Sequence, residues 1–237
     1  MKIKVIGSGS MWTAYNSASY MIDDDILVDI PNGMCKNLFR LELNPRIIKH
    51  VLITHFHGDH YFDIPFLFLL KSRADNKDIN IYCSKEGKRK NQKLLKLAFP
   101  NSARGVNEAI NLKYNFDSSF KISNYIIKKY LVDHGRMKPA YGYVFEYENK
   151  KLGFTGDSAI CKNVELMASV CEYLFCDCMF IKGTSKHMGI DNIKYLSEKY
   201  PKCKFVVSHL EDETRQELKK LKIKNVIIPD DDLEINI

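Results

Sequence analysis

The chain has no apolar run approaching the ~20 residues that a membrane span requires, although 45% of its 237 residues are hydrophobic. No Gly/Ser linker or low-complexity segment divides it, so one domain over residues 1–237 is the expectation. Arginine is scarce, supplying only 7 of the 36 basic residues. A surface of bidentate phosphate clamps would use more, because the guanidinium fork matches phosphate geometry and the lysine ammonium does not. None of the seven cysteines has CxxC spacing, and an odd set of this kind reads as reduced, buried thiols. Cys176 and Cys178 could offer two thiolates to a metal, but the alternation in YLFCDCMFI fits a strand better. The first residues, MKIKVIGSGS, reach glycine and serine too early for a signal-peptide core. They read as strand and turn, and a cytoplasmic location is the expectation.

What is present is a mildly basic α/β pattern, with net charge +7. That balance favours an anionic substrate without requiring a long nucleic acid. The densest basic stretch, SKEGKRKNQKLLKLAF over 84–99, carries Leu94, Leu95, Leu97 and Ala98 and suggests an amphipathic helix with a solvated face. β-branched and aromatic enrichment predicts strands at Lys2–Ile6, Ser19–Ile22, Ile26–Asp29, His50–Ile53, Ile79–Cys83, Tyr125–Val132, Tyr141–Glu146, Lys151–Thr155, Tyr173–Ile181, Lys204–Ser208 and Asn225–Ile228. Apolar spacing of three and four predicts helices at Gly33–Leu43, Ile64–Ser72, Glu86–Ala98, Lys162–Ser169, Gly189–Lys199 and Glu211–Leu221. MIDDDILVDIPNG and YENKKLGFTGDSA echo one another as strand, turn, strand and aspartate (Asp29 and Asp157). The echo suggests a duplicated α/β unit.

The chemistry concentrates in LITHFHGDHYFDIP, residues 52–65, where His55, His57, Asp59 and His60 occupy six positions after an apolar strand. Alternate residues of an extended segment face one way, so His55 and His57 suit one cation. Gly58 lets the chain turn Asp59 and His60 toward a second. Neutral imidazole and carboxylate both suit zinc and similar divalent ions. The missing ligands sit at further predicted strand ends: His134 in YLVDHG, Asp157 in FTGDSA and His209 in VVSHLE. The pattern points to a dinuclear metal site. His50, at a strand start, reads as structural.

By these residues the chain resembles the metallo-β-lactamase fold superfamily. THFHGDH matches its signature, and Asp29, His134, Asp157 and His209 follow in the family's order. The resemblance implies an α/β four-layer αββα sandwich, with two mixed β-sheets flanked by helices. It implies one metal on His55, His57 and His134, a second on Asp59, His60 and His209, and Asp157 bridging both. Asp29 would orient a ligand; read without the resemblance, it is a hairpin-end turn former. NSAS (16–19), HGDHYFDIPFLF, DHGRMKPAYGYVFE and TSKHMG, which contains His187, resemble the branch of tRNA 3′-processing endonucleases and related phosphodiesterases.

Two departures separate the chain from the tRNA-processing enzymes. Only 22 residues lie between His134 and Asp157, too few for the tRNA-gripping arm inserted there. Where that branch carries glutamate before its additional histidine, this chain has Lys182. Both favour the compact members that resemble cyclic-nucleotide phosphodiesterases, including the anti-Pycsar enzymes. The expectation is therefore a phosphodiesterase with two divalent ions, zinc first and manganese or iron as alternatives. A metal-bridging hydroxide would attack phosphorus, with Asp59 and Asp157 among the catalytic residues. His187 would serve as general acid; its other reading is a loop histidine capping the next helix. An RNase Z-like endonuclease acting on RNA is the alternative. The resemblance also implies a homodimer, and neither resemblance nor composition suggests a membrane partner.

Overall fold

A computed structural model describes residues Met1–Ile237. Fourteen strands are formed: β1 (Lys2–Gly7), β2 (Ser19–Ile22), β3 (Ile26–Val28), β4 (His50–Leu52), β5 (Asp78–Tyr82), β6 (Asn111–Asn115), β7 (Ser119–Ile122), β8 (Tyr125–Val132), β9 (Ala140–Tyr147), β10 (Lys150–Phe154), β11 (Tyr173–Asp177), β12 (Lys204–Ser208), β13 (Val226–Ile227) and β14 (Glu234–Asn236). The helices are α1 (Met34–Arg40), α2 (Gly58–Tyr61), α3 (Ile64–Ser72), α4 (Gly87–Ala98), α5 (Ala103–Ala109), α6 (Lys162–Val170), α7 (Ile190–Lys199) and α8 (Asp212–Leu221), with a 3-10 turn at Pro45–Ile47.

The chain divides into two units. The first comprises Met1–Ile6, Ala18–Phe116 and Asp232–Ile237. Its mixed sheet runs β14-β1-β2-β3-β4-β5-β6. β1 pairs antiparallel with β14 and β2 with β3, whereas β3 to β6 are parallel. The ILV of β3 is buried throughout, as a strand covered on both faces should be. Ile6, Leu27, Val51, Ile53, Leu67, Phe68 and Ile81 share one core in this unit.

The second unit comprises Gly7–Ser17 and Asp117–Asp231. Its mixed sheet runs β13-β12-β11-β10-β9-β8-β7. β7 to β10 form an antiparallel meander, and β10 to β13 are parallel. α7 buries Ile190, Ile193 and Leu196 at helical spacing. Phe205, Val207 and Cys176 join them in the core, each large apolar side chain contributing about 1.5–3 kcal/mol by burial.

Two mixed sheets flanked by helices agree with the expected fold class. The two echo segments take similar local structure: in each an antiparallel hairpin, β2–β3 or β9–β10, ends shortly before the aspartate, Asp29 or Asp157, and its second strand pairs in parallel with the next. All seven cysteines are free thiols and six are buried. No helix is long and apolar enough to cross a membrane.

Several predicted bounds shift. α1 is shorter than Gly33–Leu43, because Gly33 (φ 79°) and Glu42 (φ 58°) take left-handed backbone outside it. β11 stops at Asp177 rather than Ile181, because the Asp177 carboxylate accepts the N–H of Met179 and pulls the chain out of the ladder. β6, β7 and β14 were not predicted; NLKYN, SFKI and EIN are short and half polar, so they carry little strand signal.

Candidate metal centre

In the first unit the donors cluster where β4 leaves its sheet. Asp29, itself in left-handed backbone (φ 60°), follows β3 and is buried. Its Oδ1 accepts the Thr54 N–H at 2.8 Å, and its Oδ2 accepts the Thr54 hydroxyl at 2.7 Å. The same Oδ2 accepts Nδ1–H of His60 at 2.7 Å. Thr54 Oγ1 in turn lies 3.1 Å from His55 Nδ1. One carboxylate thereby fixes two imidazoles, His60 directly and His55 through a hydroxyl. Burial pushes the Asp29 carboxyl above its usual range, opposed by His60 and Thr54.

With both Nδ1 atoms committed, His55 and His60 present Nε2. His55 Nε2 lies 3.0 Å from His57 Nδ1, and His60 Nε2 lies 3.8 Å from Asp59 Oδ2. Two nitrogens on one tetrahedral zinc stand about 3.3 Å apart, given Zn–N lengths of roughly 2.0–2.1 Å. Gly58 starts α2 rather than making a left-handed turn. What it provides is room, because a Cβ there would lie 2.7 Å from the Phe62 ring.

In the second unit His134 lies two residues past the end of β8 and gives Nδ1–H to the Lys186 carbonyl at 2.9 Å. Its Nε2 lies 3.8 Å from Asp157 Oδ2, and His209 Nε2 lies 3.4 Å from that same oxygen. Burial lowers the proton affinity of His134, which favours the neutral imidazole a metal requires. The backbone is bent hard at these points: Gly156, beside Asp157, has φ 60°, and His209 has φ 57°. His187 stacks on His209 with ring centroids 5.2 Å apart and meets His134 edge-on at 4.8 Å. The donor atoms of Asp157, His187 and His209 all lie within 4.8 Å of one another.

Residues 1–228 match the family model described as anti-Pycsar protein Apyc1. The chain belongs to the anti-Pycsar Apyc1 family. Among curated relatives, ribonuclease Z of Pyrococcus horikoshii is 33% identical over 132 residues, covering 54% of this chain and 41% of that protein. Ribonuclease Z of Thermococcus kodakarensis is 33% identical over 129 residues, covering 53% and 38%. The chain thus spans about two fifths of the length of these curated relatives. Among solved structures, a diphosphatase of the PhnP family superposes with TM-score 0.79 at 18% identity, covering 100% of this chain and 97% of the other. The metallo-β-lactamase fold protein YhfI of Bacillus subtilis gives 0.78 at 18%, covering 99% of each. These likenesses place the anti-Pycsar Apyc1 family member in the metallo-β-lactamase fold.

The His/Asp donor set of this family member suits divalent metals, since imidazoles with anchored Nδ1 protons are oriented as ligands. Six of its seven histidines lie in these two clusters. His50 lies outside them, 3.0 Å from the Tyr82 hydroxyl, which agrees with its structural reading. Asp177 was missed. Its Oδ2 accepts Nδ1–H of His187 at 2.8 Å and the Ser158 N–H at 3.0 Å. Burial pushes its carboxyl up against the opposing pull of His187. The available signal was a lone acid at the end of an apolar strand, hidden between Cys176 and Cys178.

Proposed function

We propose that this anti-Pycsar Apyc1 family member is a metal-dependent phosphodiesterase that opens small phosphodiesters, cyclic nucleotides foremost, working as one domain over residues 1–237. His55, His57 and His134 would hold one ion, and Asp59, His60 and His209 the other, with Asp157 shared. The observation that carries the reading is Asp157 Oδ2, which lies within 3.4–3.8 Å of Nε2 atoms from two separate strand-end histidines. A single acceptor oxygen flanked in this way suits a bridging carboxylate. Bound divalent ions would supply Lewis acidity and an activated water.

The chain's own groups do the rest. Asp29 and the Lys186 carbonyl set the tautomers of His60 and His134. Asp177 holds the Nδ1 proton of His187, so its Nε2 faces the site as the group that carries a proton to the leaving oxygen. Zinc suits the mixed imidazole and carboxylate set, with manganese and iron as competitors. The active form would be a homodimer working in the cytoplasm.

A second reading, RNA 3′-end endonuclease, is favoured by the identity to ribonuclease Z. It is opposed by residues 135–156, which are taken up by β9, β10 and their connections and leave no projecting arm. Metal-loaded protein should be assayed against 3′,5′- and 2′,3′-cyclic nucleotides, an unprocessed tRNA, a chromogenic β-lactam and a thioester. Cleavage of a cyclic nucleotide is expected. Rapid tRNA cleavage with inert cyclic nucleotides would replace the first reading by the second.

A further inference from the structure

Trp12 is the chain's only tryptophan, and it is 72% exposed. That is a rare state for so large an apolar side chain. Met11 beside it is 57% exposed. Both occupy the tip of the Gly7–Ser17 segment of the second unit.

The base of this loop is tightly held. Ser8 and Ser10 are fully buried. Asp231 joins the loop's two legs with one carboxylate: Oδ1 accepts Ser8 N–H at 3.0 Å and its hydroxyl at 2.9 Å. Oδ2 accepts Asn16 N–H at 2.8 Å and its side-chain amide at 2.9 Å. Arg215, only 3% exposed, donates to Ser8 Oγ at 2.8 Å and to the Pro229 carbonyl at 2.6 Å. Its guanidinium also lies 3.8 Å over the Tyr15 ring.

Backbone bonds then dock the loop beside a metal-ligand position. Leu210 N–H donates to the Ser8 carbonyl at 3.2 Å, and Ser10 N–H donates to the Leu210 carbonyl at 3.0 Å. Leu210 directly follows His209. Trp12 stands two residues past Ser10, whose hydroxyl accepts the Trp12 N–H at 3.3 Å. Two residues of chain reach at most ~7 Å. The Trp12 backbone therefore lies within reach of Ser10, which pairs with Leu210 just past the carboxyl end of β12, the end at which α/β sheets bind ligands. Presenting a large π-face on a loop with an ordered base leaves little entropy to lose on contact.

We propose that Trp12 is the stacking platform for the substrate's nucleobase, positioned by the Asp231–Arg215 latch. The proposal deepens the phosphodiesterase reading and rests on it. It gives the nucleobase a contact of its own, so nucleotides should bind more tightly than base-free phosphodiesters. Stacking of this kind is worth about 1–3 kcal/mol per base.

Because Trp12 is the sole indole, its fluorescence reads the contact directly. Zinc-loaded full-length protein is titrated with AMP and, separately, with ribose 5-phosphate, while each is scored as an inhibitor of cyclic AMP hydrolysis. AMP should quench the indole saturably at its inhibitory concentration, and ribose 5-phosphate should leave the emission unchanged. Trp12→Ala should raise KM for cyclic AMP roughly tenfold or more, with Trp12→Phe restoring most of the loss. Competitive inhibition by AMP without quenching would overturn the stacking role while leaving the phosphodiesterase reading intact. Failure of any nucleotide to bind or be cleaved would end both. Emission that follows protein concentration instead of AMP, with KM unchanged in Trp12→Ala, would make Trp12 a contact between copies and overturn the assignment.

Discussion

Asp29 Oδ2 takes the Nδ1 proton of His60 across 2.7 Å and, through Thr54 Oγ1, also steadies His55. Two proposed ligands of different ions therefore depend on one buried carboxylate. Replacing Asp29 by Asn keeps a residue that tolerates its left-handed backbone while removing the acceptor charge. Asp29→Asn should weaken metal affinity about 10- to 100-fold, measured by competition with a chromogenic chelator. Unchanged affinity would reduce Asp29 to a turn former.

His187 and Asp177 form the corresponding pair on the second unit. His187→Ala should lower kcat about 100- to 10,000-fold while metal content, read by elemental analysis, stays normal. Asp177→Asn should lower kcat in the same direction, because Nδ1 of His187 loses its carboxylate acceptor. If His187→Ala arrives short of metal, His187 is a ligand and its proton-carrying role fails.

Gly156 carries a left-handed backbone beside Asp157. A Cβ there costs about 1–2 kcal/mol. Gly156→Ala should lower Tm by about 2–8 °C in a chain of this size. Calorimetry of the metal-free protein provides the check, and an unchanged Tm would deny that the bend is strained.

His50 supplies a pH dependence outside the metal clusters. Burial lowers its proton affinity in the fold, so near pH 6 the unfolded chain binds the proton more readily. Stability is then complete above the unfolded value of about 6.5 and falls as pH drops through it toward the lowered folded value. In chelator-treated protein, wild type should lose more stability than His50→Gln between about pH 7.5 and about pH 5.5. Urea midpoints that fall in parallel for the two proteins would show that His50 contributes nothing to acid sensitivity.

Local order made much of this protein legible in its sequence. The continuous apolar runs around His50–Ile53 and Lys204–Ser208 are buried strands because β-branched and aromatic residues pack well on a pleated surface. THFHGDH announces its chemistry because residues close in sequence are necessarily close in space, so the His55–His57 and Asp59–His60 proximities needed no fold. Only tertiary structure could decide which distant groups complete them. Asp177 lies ten residues from His187, and Asp29 thirty-one from His60, and no periodicity links such pairs. Their meeting depends on parallel strands placing successive carboxyl ends along one edge, and on left-handed bends at Asp29, Gly156 and His209 that turn the side chains. A hydrogen bond of 2.7 Å is decided by that placement, not by the identity of the two residues alone.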